Sequence, residues 1–302
     1  MASLHKRSIL ITGCSAGSAG HALALEFANQ GMRVFATARS TKSLSQLEAR
    51  GIEVLPLDVT SAESIATLKA EVSERSGGKL DMLFNNAGMM YEAPAIEADG
   101  ESVRKMFNAN VFGLFDMVTA FVPLLLASVP DSPSPPTIIN TSSILSRLPF
   151  PFAAGYNASK AAVASYSDTL RIELAPLGIK VVTLFMGEVS TGLMSADNIS
   201  FGHDSLYSDI EGSVQERSRR HVQSSMKAQE FAREVVNEVI SKPGEGKGMF
   251  LWKGTNAWLV WFLNAVGWRT VFDGTMMSGA GLDRREFKKA IFDKGQHWAK
   301  RN

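Results

Sequence analysis

Short apolar runs of strand length recur along the chain at 8–12, 33–37, 52–57, 80–84, 137–141 and 179–184. Between them lie longer segments whose apolar positions repeat at helical spacing, at 20–30, 61–76, 101–127, 156–175 and 227–241. A seventh strand is expected at GMFLW, 248–252. Strands separated by helices cannot pair through hairpins; they pair in parallel through right-handed crossovers, and the crossover helices cover both faces of the sheet. The fold class is therefore α/β, with one doubly wound parallel sheet. The stretch PDSPSPP, 130–136, holds too much proline for helix or strand and reads as an exposed connection.

Composition narrows the function classes. A chain of 302 residues, 45% of them hydrophobic, can bury a substantial core. The net charge of +1, with its basic residues scattered, offers no field for a phosphate backbone, so no nucleic acid partner is expected. Cys14 is the only cysteine and cannot form an internal disulfide, which fits a reducing, cytoplasmic compartment. The basic N-terminal residues lead into a short apolar run and a glycine turn, which reads as a first strand and not as a signal peptide. The five histidines stand far apart without ligand spacing, and no metal site is expected.

Three local patterns carry chemistry. The first strand runs into TGCSAGSAG, with Gly13, Gly17 and Gly20 ahead of a helix. Such a turn lets backbone N–H groups and a helix N-terminus approach a pyrophosphate with no Cβ in the way, although glycines there also serve tight packing. The second strand, RVFATARS, ends without an acidic residue to hold a ribose 2′-hydroxyl. Arg39 stands there instead, suited to a 2′-phosphate, with Ser40 and Lys42 beside it; the alternative is a solvated arginine capping the strand. Tyr156 and Lys160, in YNASK, lie one helical turn apart on one face. A lysine charge beside a phenol favours the phenolate and lowers a pKa that is otherwise about 10, although a lone YxxxK equally describes a surface pair.

In this order the motifs resemble the short-chain dehydrogenase/reductase family, from about residue 8 to residue 191. The glycine loop departs from the family's TGxxxGxG. Read forward from Thr12, Ala19 takes the place of the third glycine; read back from the helix, Gly20 fits with one residue inserted and Ser18 at the middle position, the reading preferred here. The resemblance implies an NADP(H) site built from Gly13, Ser15, Gly17, Ser18, Gly20 and Arg39, with Asp58 of PLDVT at the adenine. It also implies that the NNAG turn, Asn85, Asn86, Ala87 and Gly88, lines the cofactor, and that Asp81 braces the strand before it. Ser143, thirteen residues before Tyr156, would hold the substrate oxygen while Tyr156 gives or takes its proton. Lys160 would bond the nicotinamide ribose and favour ionisation of Tyr156, and Asn110 would hold a water near the lysine. Val189 and Thr191, in MGEVST, would meet the nicotinamide carboxamide, with Met186 replacing the family's proline ahead of Gly187.

The expected domains are 1–252, a Rossmann-type NADP-binding and catalytic domain with a substrate loop at 192–225, and 253–302, a C-terminal helical extension. The segment 256–268, NAWLVWFLNAVGW, is too short to span a bilayer and carries three of the five tryptophans, flanked by Lys253 and Arg269. It reads as a peripheral membrane contact or as a core or oligomer helix. This tail, with GCS and GKLDMLFNNAG, most resembles the fungal and yeast branch of NADPH-dependent 1-acyldihydroxyacetone-phosphate reductases, at lipid droplets and the endoplasmic reticulum. That resemblance implies a hydrophobic ketone or alcohol as substrate, and the family implies a homodimer through the Tyr156 helix. A ketoreductase or alcohol dehydrogenase of secondary metabolism, and a non-catalytic NADP-binding scaffold, remain the alternatives.

Overall fold

The apolar alternation along each strand is resolved into two helical layers in the computed structural model, which describes residues 6–241 and 249–300. The elements run β1 (Ser8–Ile11), α1 (Ala19–Asn29), β2 (Arg33–Ala38), a short α2 (Ser45–Glu48), β3 (Glu53–Pro56), α3 (Ala62–Ser76) and β4 (Met82–Asn85). Then come α4 (Gly100–Phe107), α5 (Gly113–Ser128), β5 (Thr137–Ser143), α6 (Ala154–Leu174), β6 (Lys180–Met186) and β7 (Val189–Ser190). The chain continues with α7 (Glu211–Ser224), β8 (Met226–Lys227), α8 (Ala228–Ser241), β9 (Met249–Lys253), α9 (Ala257–Val266), α10 (Asp273–Ala280) and α11 (Arg285–Ala299). Seven strands form one parallel sheet in the order β3-β2-β1-β4-β5-β6-β9, and β7 pairs with β8 beside it.

Period two explains the layers. Ile9 and Ile11 of β1 face one way, onto α1 and α8, where Leu23, Phe27, Phe231 and Val235 are buried. Leu10, between them, faces the other way onto α3, α5 and α6 through Leu68, Phe121 and Val163. From β1 the chain winds outward through β2 and β3, and from β4 it winds the opposite way through β5 and β6. The reversal between β1 and β4 opens a crevice at the carboxyl ends of the strands, where this architecture binds its ligands.

The helix expected at 101–127 is continuous from Gly100 to Ser128 but contains one π-helical turn, Asn108–Phe112, between α4 and α5. The extra residue in that turn rotates Asn110 inward, and such π turns recur at functional sites. Gly113, just after it, sits against the loop following β3: a Cβ there would lie 2.6 Å from the Val59 carbonyl oxygen. The segment has the length and hydropathy of a membrane span. Its apolar residues Leu114, Met117 and Phe121 are nonetheless buried against the sheet, which accounts for that composition.

Two expectations about the C-terminal part change. Lys227 begins no helix; it pairs in β8, and α8 starts at Ala228. Lys253 stays in the sheet opposite Met186 and its ammonium pairs with Glu238 (3.3 Å) and Glu234 (3.9 Å) of α8, so it is not a flanking charge free to meet lipid. Residue 248 of the expected seventh strand lies outside the described residues. Beyond β9, Ala257 and Val260 of α9 pack on Ile144 and Leu148, tying the extension to the loop after β5.

Candidate active site

The glycine turn is shaped first by backbone. Gly13 and Gly17 adopt φ of 75° and 77°, in the left-handed region that side chains with a Cβ rarely enter. Ser18 has φ −85° and is the N-cap of α1, its hydroxyl accepting from the His21 amide (3.1 Å) and donating to the Gly13 carbonyl (3.0 Å). The middle glycine's freedom is thus used at Gly17, four residues after Gly13. The expected middle position at Ser18 is therefore corrected to Gly17. Gly20 serves packing, since a Cβ there would come within 2.4 Å of the Gly13 carbonyl oxygen. Gly17 faces open space.

Thr12, which sequence reasoning treated only as a strand end, joins this turn to the next one. Its hydroxyl accepts from the amides of Asn86 (3.0 Å) and Ala87 (2.9 Å). The Asn86 carboxamide donates to the carbonyls of Thr12 (2.9 Å) and Gly13 (3.2 Å). Asn86, Ala87 and Gly88 line the cleft, whereas Asn85 points into the sheet and donates to the Asn140 carboxamide (2.9 Å). Asp81 is the expected brace: fully buried, it accepts from the Ser8 amide and hydroxyl and from Ser132.

These turns frame a cavity of about 1110 Å³ that crosses the strand ends from Arg39 and Asp58, past Gly13, Ser15 and Gly17, to Ser143, Tyr156, Val189 and Thr191. The Asp58 carboxyl is held below its ordinary value chiefly by hydrogen bonds from the Thr60 hydroxyl (2.7 Å) and amide (2.9 Å). Arg39 is exposed at the end of β2 and lines the cavity; Lys42 does not. Met186, in place of the family's proline, continues the β6 ladder, and the Gly187 amide donates to the Lys253 carbonyl (2.7 Å). A span of this size, floored by an open glycine turn and a helix N-terminus with an arginine at one end, fits a dinucleotide.

At the other end Ser143, Tyr156 and Lys160 converge, each nearly inaccessible to solvent. Ser143 ends β5, and Tyr156 lies in the first turn of α6 with Lys160 one turn on. The Ser142 hydroxyl donates to the Lys160 carbonyl (2.8 Å) and the Lys160 ammonium to the Thr141 carbonyl (2.9 Å), so α6 is fastened to β5 at this point. Burial pushes the phenol of Tyr156 up to about 12, opposed by its hydrogen bond with the Ser143 hydroxyl. Lys160, with its ammonium 5.7 Å from the phenol ring centre, does not bring the phenol down. The expectation of a lowered phenol pKa is reversed, because desolvation outweighs a charge aimed at the Thr141 carbonyl.

Burial also lowers Lys160, from 10.5 to about 8. Between those values the unfolded chain holds the proton and the folded chain does not, so stability is expected to rise with pH across about 8 to 10.5. Chemical denaturation across that range, compared with Lys160→Met, checks this: the variant should lose that rise, and an identical slope would contradict it.

Asn110 reaches the same place through the π turn. Its carboxamide accepts from the Met89 amide (2.8 Å) and donates to the Met89 carbonyl (2.9 Å) and the Ser159 hydroxyl (3.1 Å). Both N–H donors are taken, so this side chain clamps the turn after β4 onto α6. Farther along the cleft, Arg217 of α7 pairs with buried Glu92 (3.1 Å) and lies over the Phe150 ring at 4.0 Å. His221 faces Glu188 at 3.3 Å. Arg217, Arg220, His221 and Ser224 all line the cavity from one face of α7. Their spacing was legible in the sequence, but the region was read only as a substrate loop.

Residues 7–200 match the model of the short chain dehydrogenase family, and the chain belongs to that family, whose members are oxidoreductases using nicotinamide cofactors. Among its relatives, a short-chain dehydrogenase of Neurospora crassa, srdE, is 37% identical over 90% of this chain and 91% of its own. The NADPH-dependent 1-acyldihydroxyacetone phosphate reductase of Schizosaccharomyces pombe is also 37% identical, over 82% of each chain. The crystal structure of a short-chain dehydrogenase from Streptomyces avermitilis superposes with a TM-score of 0.70 at 28% identity, covering 92% of this chain and 99% of that one.

Proposed function

We propose that this protein is an NADP(H)-dependent reductase of a ketone carried on a hydrophobic small molecule. The observation that carries the reading is the convergence of buried Ser143, Tyr156 and Lys160 in the same cleft as the glycine turn and Arg39. NADPH, when bound there, supplies the hydride. Gly13, Gly17 and the N-terminus of α1 hold the pyrophosphate, Arg39 the 2′-phosphate, and Asp58 and the Asn86–Gly88 turn the adenosine side. Lys160 bonds the nicotinamide ribose, and the Val189 amide and Thr191 meet the carboxamide. Ser143 donates to the substrate oxygen and keeps it against Tyr156, whose raised pKa leaves it protonated at neutral pH and able to act as the acid in reduction. Lys160 and Asn110 keep α6 and the β4 turn in register for that transfer.

The wall beyond Tyr156 is apolar, built from Ile144, Leu145, Leu148, Phe150 and Met276, which favours a hydrophobic substrate. An acylated dihydroxyacetone phosphate, the substrate in the name of the S. pombe relative, is the first compound to test, with polyketide-like ketones as the second class. The test is NADPH oxidation over acyl ketones, steroids and polyketide-like ketones. No oxidation above background with any of them would sink the reading and favour a cofactor-binding scaffold.

The reading includes a cytoplasmic enzyme resting on a lipid surface through α9. Trp258, Trp261, Val266 and Trp268 are exposed there, at 67%, 45%, 66% and 71%, while the opposite side of the helix packs beside the apolar wall of the cleft. From Arg269 to Lys300 seven Lys and Arg residues stand against four Asp and Glu, which suits an anionic surface. Cosedimentation with anionic vesicles is expected to drop severalfold in a Trp258→Ser, Trp261→Ser, Trp268→Ser variant; equal pelleting would defeat this part. The outward side chains Phe112 and Ile172 near the start of α5 and on α6 are compatible with a homodimer, which sedimentation equilibrium reads directly.

A further inference from the structure

Beside the large cleft lies a second, smaller cavity of about 250 Å³ between α7 and the turn joining α10 to α11. Its charged lining is Arg220, Arg284 and Glu216, and its hydroxyls are Ser213 and Ser278. Glu216 is already matched by Arg219 at 3.4 Å. Neither Arg220 nor Arg284 forms a salt bridge with a carboxylate among the described residues; the Arg284 guanidinium lies 5.6 Å from the Phe287 ring centre. Gly212 and Gly279 face open space where a Cβ would meet no neighbour, which leaves room for a bulky group. Arg220 and Gly279 also line the main cleft, and Met276, one turn before Gly279 on α10, belongs to the cleft's apolar wall. A molecule lying along that wall therefore reaches the arginines at its far end.

We propose that this cavity is an anion subsite: Arg220 and Arg284 hold a phosphate or carboxylate at one end of the substrate while its ketone lies at Tyr156. Two guanidinium forks and two hydroxyls match the acceptor oxygens of such a group. A neutral substrate would leave both arginines solvated and gain nothing from them. The subsite thus selects amphiphilic acids over neutral ketones of the same chain length, and it rests on the reductase reading only for what lies at the other end.

Two measurements keep those apart. The first titrates decyl phosphate, decanoate and decanol calorimetrically into the full chain loaded with NADP+, so that Arg39 is already occupied. At least one anion is expected to bind more tightly than decanol, the tighter of the two naming the head group. Arg220→Gln and Arg284→Gln should each weaken it roughly tenfold or more, and Arg284→Lys, which keeps the charge, should weaken it less. Decanol binding as tightly as both anions, or both glutamine variants binding the anion like the unaltered protein, would overturn the subsite. The second compares NADPH oxidation with a ketone bearing the anionic group and its neutral counterpart. The ratio of their kcat/KM values should fall about tenfold in the same variants. Anion binding that behaves as expected in a protein reducing no ketone at all would refute the reductase reading and leave the subsite supported.

Discussion

Tyr156→Phe is expected to lower turnover with a ketone by roughly 10²–10⁴-fold, the range a positioned general acid contributes, while NADPH affinity stays nearly unchanged. The phenol oxygen's protein partner is the Ser143 hydroxyl, so its loss removes one hydrogen bond and leaves the buried ring to fill the same space. The fastening of α6 to β5 does not depend on it, because Ser142 and Lys160 make those contacts. Binding and fold are therefore insulated from the substitution and the proton transfer is not. NADPH titration by fluorescence and steady-state turnover separate the two, and activity retained within a few-fold would remove Tyr156 from the acid's role. Ser143→Ala should cost less than Tyr156→Phe, since it deletes one donor to the substrate oxygen and leaves the proton source in place.

Arg39→Ala is expected to weaken NADPH by roughly ten- to a hundredfold and to leave NADH within a few-fold, the scale of losing charge-assisted bonds to a phosphate. Arg39 stands exposed at the end of β2, where its guanidinium can reach a group on the ribose without disturbing the buried strand. Asp58, across the cleft mouth, feels the Arg39 charge only as a minor influence on its own ionisation. Removing Arg39 should accordingly change cofactor preference and little else. The ratio of kcat/KM for NADPH and NADH measures it; an unaltered protein that uses both equally would show that Arg39 is a solvated strand cap.

The parallel α/β order, the crevice and most of the site were legible because they depend on short-range rules. Strand and helix periods differ, so alternating segments announce crossovers, and Tyr156 and Lys160 share a face because four residues make about one helical turn. Gly13 and Gly17 announce a turn because only glycine enters the left-handed region freely. The same rules misplaced the middle glycine, since choosing between Gly17 and Ser18 needed the backbone angle at each.

What the sequence determined by itself, then, is the layered sheet, the glycine turn and the identity of the polar residues near the strand ends. Tertiary structure alone decided their partners and their charge states. Asn110 was visible as a residue but not as a clamp, because its partners Met89 and Ser159 come from other elements and are brought together by a π turn. Lys253 reads as a headgroup contact until β9 pairs with β6 and sets it beside Glu238. The direction of the Tyr156 shift and the placing of Arg220 and Arg284 on one cavity follow the same logic. Desolvation and long-range pairing are properties of the packed volume around a group, and a linear spacing carries no information about that volume.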